Sequence, residues 1–214
     1  MKIKVCGITS VEQLRQLESL GVDYAGLIFF EGSKRYIGDK LYNNNESVRN
    51  TGIKKVGVFV NTELEIIEEA IKEYGLYAVQ LHGDETDEFC LELMDKAKVI
   101  KVFRMGGDET IDALVEPFQA ACHYFLFDTD TSTFGGSGKQ FNWALLENAT
   151  VGKPFFLSGG IGPDDVEKLE AFQHPYLYAV DVNSRFETEA GVKDMELVKQ
   201  FVSELGVKNA IKKQ

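Results

Sequence analysis

Eight short runs rich in β-branched and aromatic residues alternate with helix-period segments along the chain, and this alternation restricts the fold more than any other feature. The runs are KIKVC, YAGLIFF, KKVGVFV, YAVQLHG, KVIKVFRM, HYFLFD, KPFFLS and LYAVDV. Strands separated by helices must lie parallel, because a parallel connection needs a crossover that a tight turn cannot supply. Two closures satisfy that rule: an open doubly wound sheet and a (β/α)8 barrel. Eight nearly regular units within 214 residues favour the barrel, whose smallest examples have about 200 residues. No composition shift or Ser/Pro-rich linker divides the chain. The expected architecture is α/β, a single eight-stranded parallel (β/α)8 TIM barrel spanning 1–214 as one domain.

Local signals punctuate the units. Ser10 and Gln13 have capping-box spacing at the start of a helix whose Val11, Leu14 and Leu17 share a face, and Gly21 stands past its end. Thr62 is the expected cap of the helix carrying Leu64, Ile67, Ile71 and Tyr74. The stretch from Asp39 to Asn50 is poorly patterned, with room for a short helix.

Side chains alternate across a strand. Ile3 and Val5, Val79 and Leu81, Phe125 and Phe127, and Val180 and Val182 form apolar faces suited to the helix ring. The opposite parity carries Lys4, Cys6, Gln80, His82, Asp128 and Asp181, which should converge at or just below one mouth of the barrel. An interior without function has no reason to gather so many polar groups, since each buried one needs a partner.

Cys6 and Asp128 each close a strand run immediately before a turn, at the sheet edge where loops and helix N-termini assemble active sites. A base and an acid there can move protons on a small substrate without metal or cofactor. Buried cysteines are usually inert packing, and Cys90 and Cys122 read that way. Cys6 differs because Lys4 shares its face, and thiol reactivity needs a polar, cationic setting. Each neighbour also has a plainer reading. Asp128 can cap the TDTST loop that follows it, Asp181 can be a structural counter-charge to Lys4, and His82 can be a hydrogen-bonded structural histidine. No metal-ligand spacing occurs.

Gly159 and Gly160 in LSGGI follow the seventh strand, and Asn183, Ser184 and Arg185 follow the eighth. Glycines admit a phosphate to backbone N–H groups, and these two loops are the usual phosphate site of such a barrel. The sequence FGGSGK at 134–139 lacks the spacing of a nucleotide-binding loop and reads as a lid. In GSKRY, Lys34 and Arg35 form a solvated pair, or Arg35 is a fork for a carboxylate.

The formal charge of −11 argues against nucleic acid or an acidic membrane as partner. An anionic small molecule must therefore be caught by local positive features. No run approaches a membrane span, and no signal-peptide pattern opens the chain. Three cysteines make no disulfide framework, which points to a reducing cytoplasm. Helix faces show no surplus apolar stripe, so a monomer is expected.

KVCGIT, GLIFFEGSKRYI, VGVFVN, VQLHGDE, FDTDTSTFGGSGKQFNW, LSGGI and AVDVNS, in this order and at these strand ends, resemble the phosphoribosylanthranilate isomerases of tryptophan biosynthesis over nearly the whole chain. The resemblance implies a (β/α)8 barrel that turns N-(5-phosphoribosyl)anthranilate into 1-(2-carboxyphenylamino)-1-deoxyribulose 5-phosphate by an Amadori rearrangement. It implies Cys6 as general base, Asp128 as general acid and Arg35 as partner of the anthranilate carboxylate. Gln80, His82 and Asp181 would line the pocket, with Gly159, Gly160, Asn183 and Ser184 around the phosphate. No cofactor is implied, because the substrate's exocyclic nitrogen opens the ring to an iminium, which is itself the electron sink. Two departures stand out. Many members carry glycine where this chain has Arg185, and the stretch 39–50 departs from the usual second helix.

Lys4 favours a thiolate at Cys6 but opposes the protonated carboxyl an acid at Asp128 needs. Two other readings keep part of the picture. An aminoimidazole-carboxamide isomerase of histidine biosynthesis runs the same chemistry with two aspartates, against which Cys6 counts. A non-catalytic phosphate-binding barrel accounts for the glycines but not for Cys6 opposite Asp128.

Overall fold

Each of the eight apolar runs forms a strand: β1 Lys2–Val5, β2 Tyr24–Ile28, β3 Lys54–Phe59, β4 Ala78–Leu81, β5 Lys98–Met105, β6 Tyr124–Thr129, β7 Phe155–Leu157 and β8 Leu177–Val182. In the computed structural model, which describes residues 1–106, 110–129 and 140–211, each strand pairs parallel with the next and β8 closes on β1. The expected lid, 134–139, lies outside the described residues. The helices are α1 Val11–Ser19, α2 Gly38–Leu41, α3 Asn45–Arg49, α4 Leu64–Tyr74, α5 Asp87–Leu93, α6 Ile111–Val115, α7 Ala144–Glu147, α8 Val166–Ala171 and α9 Met195–Ile211. The poorly patterned stretch thus holds α2, a 3-10 turn at Tyr42–Asn44 and α3.

The parity expected from sequence organises the core. Ile3, Val5, Val79, Leu81, Phe125, Phe127, Val180 and Val182 all join the large apolar cluster that also takes in helix residues such as Leu14, Ile67 and Val166. Fully burying each such side chain contributes roughly 1.5–3 kcal/mol. A second cluster of Tyr24, Val56, Ala78, Ile100, Leu126, Phe156 and Ala179 is formed by the inward parity. The Tyr24 and Tyr178 hydroxyls share a 2.6 Å hydrogen bond there. Lys4, Gln80 and Asp181, later along their strands, form a buried polar layer above this floor.

Of two expected caps, Ser10 caps α1 without the reciprocal half of a capping box, and Thr62 does not cap its helix. Ser10 Oγ accepts from the Gln13 N–H at 3.2 Å, but the Gln13 side chain does not return to the Ser10 backbone. It donates to the Gly191 carbonyl at 3.1 Å and accepts from the Lys193 N–H at 2.9 Å. Thr62 does not cap α4. Glu63 occupies that position without a side-chain hydrogen bond, and the Thr62 hydroxyl donates to the Val60 carbonyl. Beyond the barrel, an antiparallel hairpin of β9, Glu187–Glu189, and β10, Val192–Lys193, follows β8.

Candidate active site

Cys6 lies one residue past β1, at the strand's exit, and its N–H donates to the Val182 carbonyl of β8 at 2.8 Å. Two glycines make room around it. A Cβ at Gly26 on neighbouring β2 would stand 2.6 Å from the sulfur and 2.9 Å from the Cys6 Cα. Gly7, at φ +75°, turns the chain away in a conformation that L side chains rarely adopt. A Cβ at Gly7 would also meet Arg35 Cδ at 2.5 Å and Asn183 Oδ1 at 2.7 Å. Cys6 packs with Ile28, Val58 and Phe30 in a small apolar cluster of its own.

Lys4 and Asp181 are register partners across the β1–β8 seam, and their side chains form a 2.8 Å ion pair with 0 % and 6 % exposure. Burial works against the Lys4 ammonium, but Asp181 and the Cys6 sulfur outweigh it and hold its pKa above the ordinary lysine value. Burial pushes the Cys6 thiol up. Lys4 opposes that rise through its charge and a hydrogen bond, as Lys193 does through charge. Asp181 Oδ1 and Gln80 Oε1 are buried with no hydrogen-bond partner among the described residues.

Asp128 sits within β6, which continues through Thr129. It accepts the Thr129 N–H at 2.9 Å, so part of its expected local capping role is present. Burial first, then the charge of Asp181, pushes its carboxyl up to about 6, against Thr129, Ser158 and Lys4. The opposition between Lys4 and a protonated Asp128 is thereby resolved: the anion paired with Lys4 outweighs the cation at Asp128. Cys6 and Asp128 border the same ion pair, whose cation acts chiefly on sulfur and whose anion acts chiefly on carboxyl.

His82 Nε2 lies 3.5 Å from Asp128 Oδ2, and its Nδ1 accepts from Gln80 Nε2 at 3.3 Å. Burial, reinforced by Lys4, lowers its pKa to about 3. The ring is therefore neutral, and a proton on Nε2 completes the hydrogen-bond sequence Gln80–His82–Asp128.

Arg35 is not a free fork. Its Nε contacts Glu187 Oε1 and Oε2 at 2.9 and 3.1 Å, and Nη2 donates to Oε2 at 2.6 Å. Lys193 Nζ donates to the same carboxylate at 2.6 Å and to Asn183 Oδ1 at 2.7 Å, so the Asn183 side chain is engaged within the protein. The Asn183 backbone carbonyl is engaged as well, by Lys193 Nζ at 3.3 Å and by the Phe186 N–H at 3.1 Å. Gly159 and Gly160 have φ of +92° and +67°, and a Cβ at Gly159 would come within 2.8 Å of the Thr129 backbone nitrogen. Ser184 opens a 3-10 turn, Ser184–Phe186, and the exposed Arg185 lies across the preceding loop, its Nε 3.2 Å from where a Gly162 Cβ would stand.

The structure thus brings Cys6, Gln80, His82, Asp128 and Asp181 around Lys4. Arg35 and Asn183 meet at Gly7, and the β7 loop lies against the β6 exit. Sequence reasoning missed Glu187, Lys193 and Ser158. Ser158 was readable in principle, since it follows β7 just as Cys6 follows β1. The other two sit on a hairpin too short to carry a strand pattern.

Residues 3–204 match the family described as N-(5'phosphoribosyl)anthranilate (PRA) isomerase. The chain is 39 % identical over 206 residues to an N-(5'-phosphoribosyl)anthranilate isomerase of Phocaeicola vulgatus, covering 96 % of this chain and 98 % of that one. It is 37 % identical over 208 residues to the enzyme of the same description from Parabacteroides distasonis, covering 96 % and 93 %. The crystal structure of phosphoribosyl anthranilate isomerase from Thermotoga maritima superposes with a TM-score of 0.82 at 32 % identity, over 97 % of this chain and 99 % of that one.

Proposed function

The chain belongs to the N-(5'-phosphoribosyl)anthranilate isomerase family, and from that premise we propose how its own residues carry the reaction. The established chemistry is the Amadori rearrangement of N-(5'-phosphoribosyl)anthranilate to the 1-deoxyribulose 5-phosphate product in tryptophan biosynthesis. In this reading Asp128, with its carboxyl near 6, gives a proton to the furanose oxygen while the exocyclic nitrogen opens the ring to an iminium. The Cys6 thiolate, stabilised by Lys4, then removes the C2′ proton, and the resulting enolamine tautomerises to the ketone. Acid and base each supply about 10² to 10⁴ in rate.

The observation that carries this assignment is the shared Lys4–Asp181 pair. Its cation eases the burial-driven rise of the Cys6 thiol, while its anion adds to the burial-driven rise of the Asp128 carboxyl, so one buried pair serves a base and an acid. Gln80 Oε1 and Asp181 Oδ1, without partners among the described residues, are acceptors for the sugar hydroxyls. His82 holds the Asp128 carboxyl in place. Arg35 takes the anthranilate carboxylate, and Ile28, Val58 and Phe30 give its ring an apolar wall. The left-handed glycines 159 and 160, with the backbone of Asn183 and the hydroxyl of Ser184, receive the phosphate. The protein works as a monomer in a reducing cytoplasm, where its three cysteines stay free.

Steady-state turnover of Cys6→Ala and Asp128→Ala tests the couple. Each should lose roughly 10²-fold or more in kcat, with substrate affinity changed by only a few-fold. Normal turnover by either variant sinks the assignment.

A further inference from the structure

We infer that Glu187 is a positioning residue for this reaction, holding one edge of the Arg35 guanidinium so that its other N–H groups face the substrate carboxylate beside Cys6. The inference rests on the preceding reading of Arg35.

A guanidinium carries five N–H donors in a rigid fork. Glu187 engages Nε and one N–H of Nη2 and leaves both Nη1 donors uncommitted to it. Those bonds fix the plane of the fork. Gly7, the residue after Cys6, has no side chain where a Cβ would collide with Arg35, so the clamped arginine lies directly against the turn that carries the thiol.

The charge balance points to a ligand rather than to a bridge that serves folding alone. The carboxylate of Glu187, 4 % exposed, meets two cations, Arg35 at 14 % and Lys193 at 0 %. Two other buried pairs, Lys4–Asp181 and Lys101–Glu85, match one cation to one anion. Cys6 faces both cations but balances neither while its raised thiol keeps its proton, and a largely buried cluster with one surplus positive charge is costly unless an anion completes it. A carboxylate on the bound aryl group, reached by the free edge of Arg35, supplies that charge.

The hairpin that presents Glu187 is tied down independently. Gly191 O accepts from Thr9 Oγ1 at 2.6 Å and from Gln13 Nε2 at 3.1 Å. Gly191 N–H donates to Glu187 Oε1 at 3.1 Å. The clamp therefore stands on the loop after β1, the same loop that sets Cys6.

The test measures binding of the reduced, non-reacting product analogue and of its phenyl counterpart lacking the carboxylate. Wild type, Glu187→Gln and Arg35→Ala are compared by calorimetry. For Glu187→Gln, affinity for the carboxylate ligand should fall roughly tenfold or more, while that for the phenyl ligand changes less than about threefold. In turnover, KM should rise much more than kcat falls. Equal loss of both ligands in Glu187→Gln, with the carboxylate-selective loss kept in Arg35→Ala, overturns the inference and leaves Arg35 its role. Equal loss of both ligands in Arg35→Ala removes the Arg35 reading itself. Should Glu187→Gln not fold, Glu187→Asp keeps the charge and shortens the arm by one methylene. The same ligand-selective loss is then expected, and wild-type affinity for both ligands overturns the inference.

Discussion

At the scale of single residues, Cys6 and Asp128 differ in which member of one ion pair acts on them more strongly. Asp128 reaches about 6 because burial and Asp181 together outweigh Lys4. As the carboxyl titrates below the raised thiol, the form the proposed mechanism needs, protonated Asp128 with ionised Cys6, is a minority state of constant population between the two pKa values. The pH profile of kcat/KM should therefore climb up to about pH 6 and then level until the thiol range. Asp181→Asn removes the anion and leaves Lys4 uncompensated, which should move that acid limb to lower pH; an unmoved limb contradicts the assignment. Linkage gives the matching stability effect. The folded carboxyl holds its proton more tightly than the unfolded one, so stability falls as pH rises from about 4 to 6. The rise from 3.8 to about 6 corresponds to about 3 kcal/mol by pH 7. Asp128→Asn should raise stability by up to that amount in urea unfolding at pH 7 and by almost nothing at pH 4. Strand parity made Cys6, Gln80, His82, Asp128 and Asp181 legible in advance. It could not assign Asp128 its protonation, because that depends on the distances to Lys4 and Asp181 rather than on the face each residue occupies.

Among the elements, the strands were the most legible, because period-two alternation over four to eight residues leaves little choice of face. The caps were less so. Thr62 has the right residue type ahead of α4, yet its hydroxyl bonds Val60 and the chain enters the helix one residue later. The β9–β10 hairpin has three residues and two, too few for a pattern, and the Glu187–Arg35 contact spans 152 positions. Gly26 shows what an element demands of a single position. A Cβ there meets the Cys6 backbone at 2.9 Å, which no rotamer can relieve. Gly26→Ala should therefore destabilise by roughly 1–3 kcal/mol and depress kcat by displacing the sulfur. Gly206→Ala in α9, with nothing within 4 Å, should be neutral or stabilising by up to about 1 kcal/mol. Thermal melts and turnover of both variants check this, and equal behaviour would contradict the crowding at β2.

For the molecule as a whole, closure is decided at the β1–β8 seam, where Lys4 and Asp181 stand in register. The contact that joins the first strand to the last is thus also the one that acts on both Cys6 and Asp128. Among the described residues, the large exposed apolar side chains, Met1, Tyr42, Ile66, Leu91, Leu145, Tyr176 and Val192, are spread over different elements rather than along one helix face. Sedimentation equilibrium at micromolar concentration should return the monomer mass of 23.9 kDa; twice that mass would show an interface these faces do not suggest.

From the order of residues alone came the eight parallel strands, the barrel, the inward polar set and the exit position of Cys6, because backbone geometry repeats with a period that local sequence can display; Asp128 was expected to end its strand, which runs on through Thr129. The electrostatic surroundings of Cys6 and Asp128, the engagement of Arg35 and Asn183, and the contacts of Glu187 and Lys193 were decided only by tertiary structure. They arise where side chains far apart in the chain share one small buried volume, and electrostatic interaction there depends on distance and burial, neither of which is encoded in spacing along the chain.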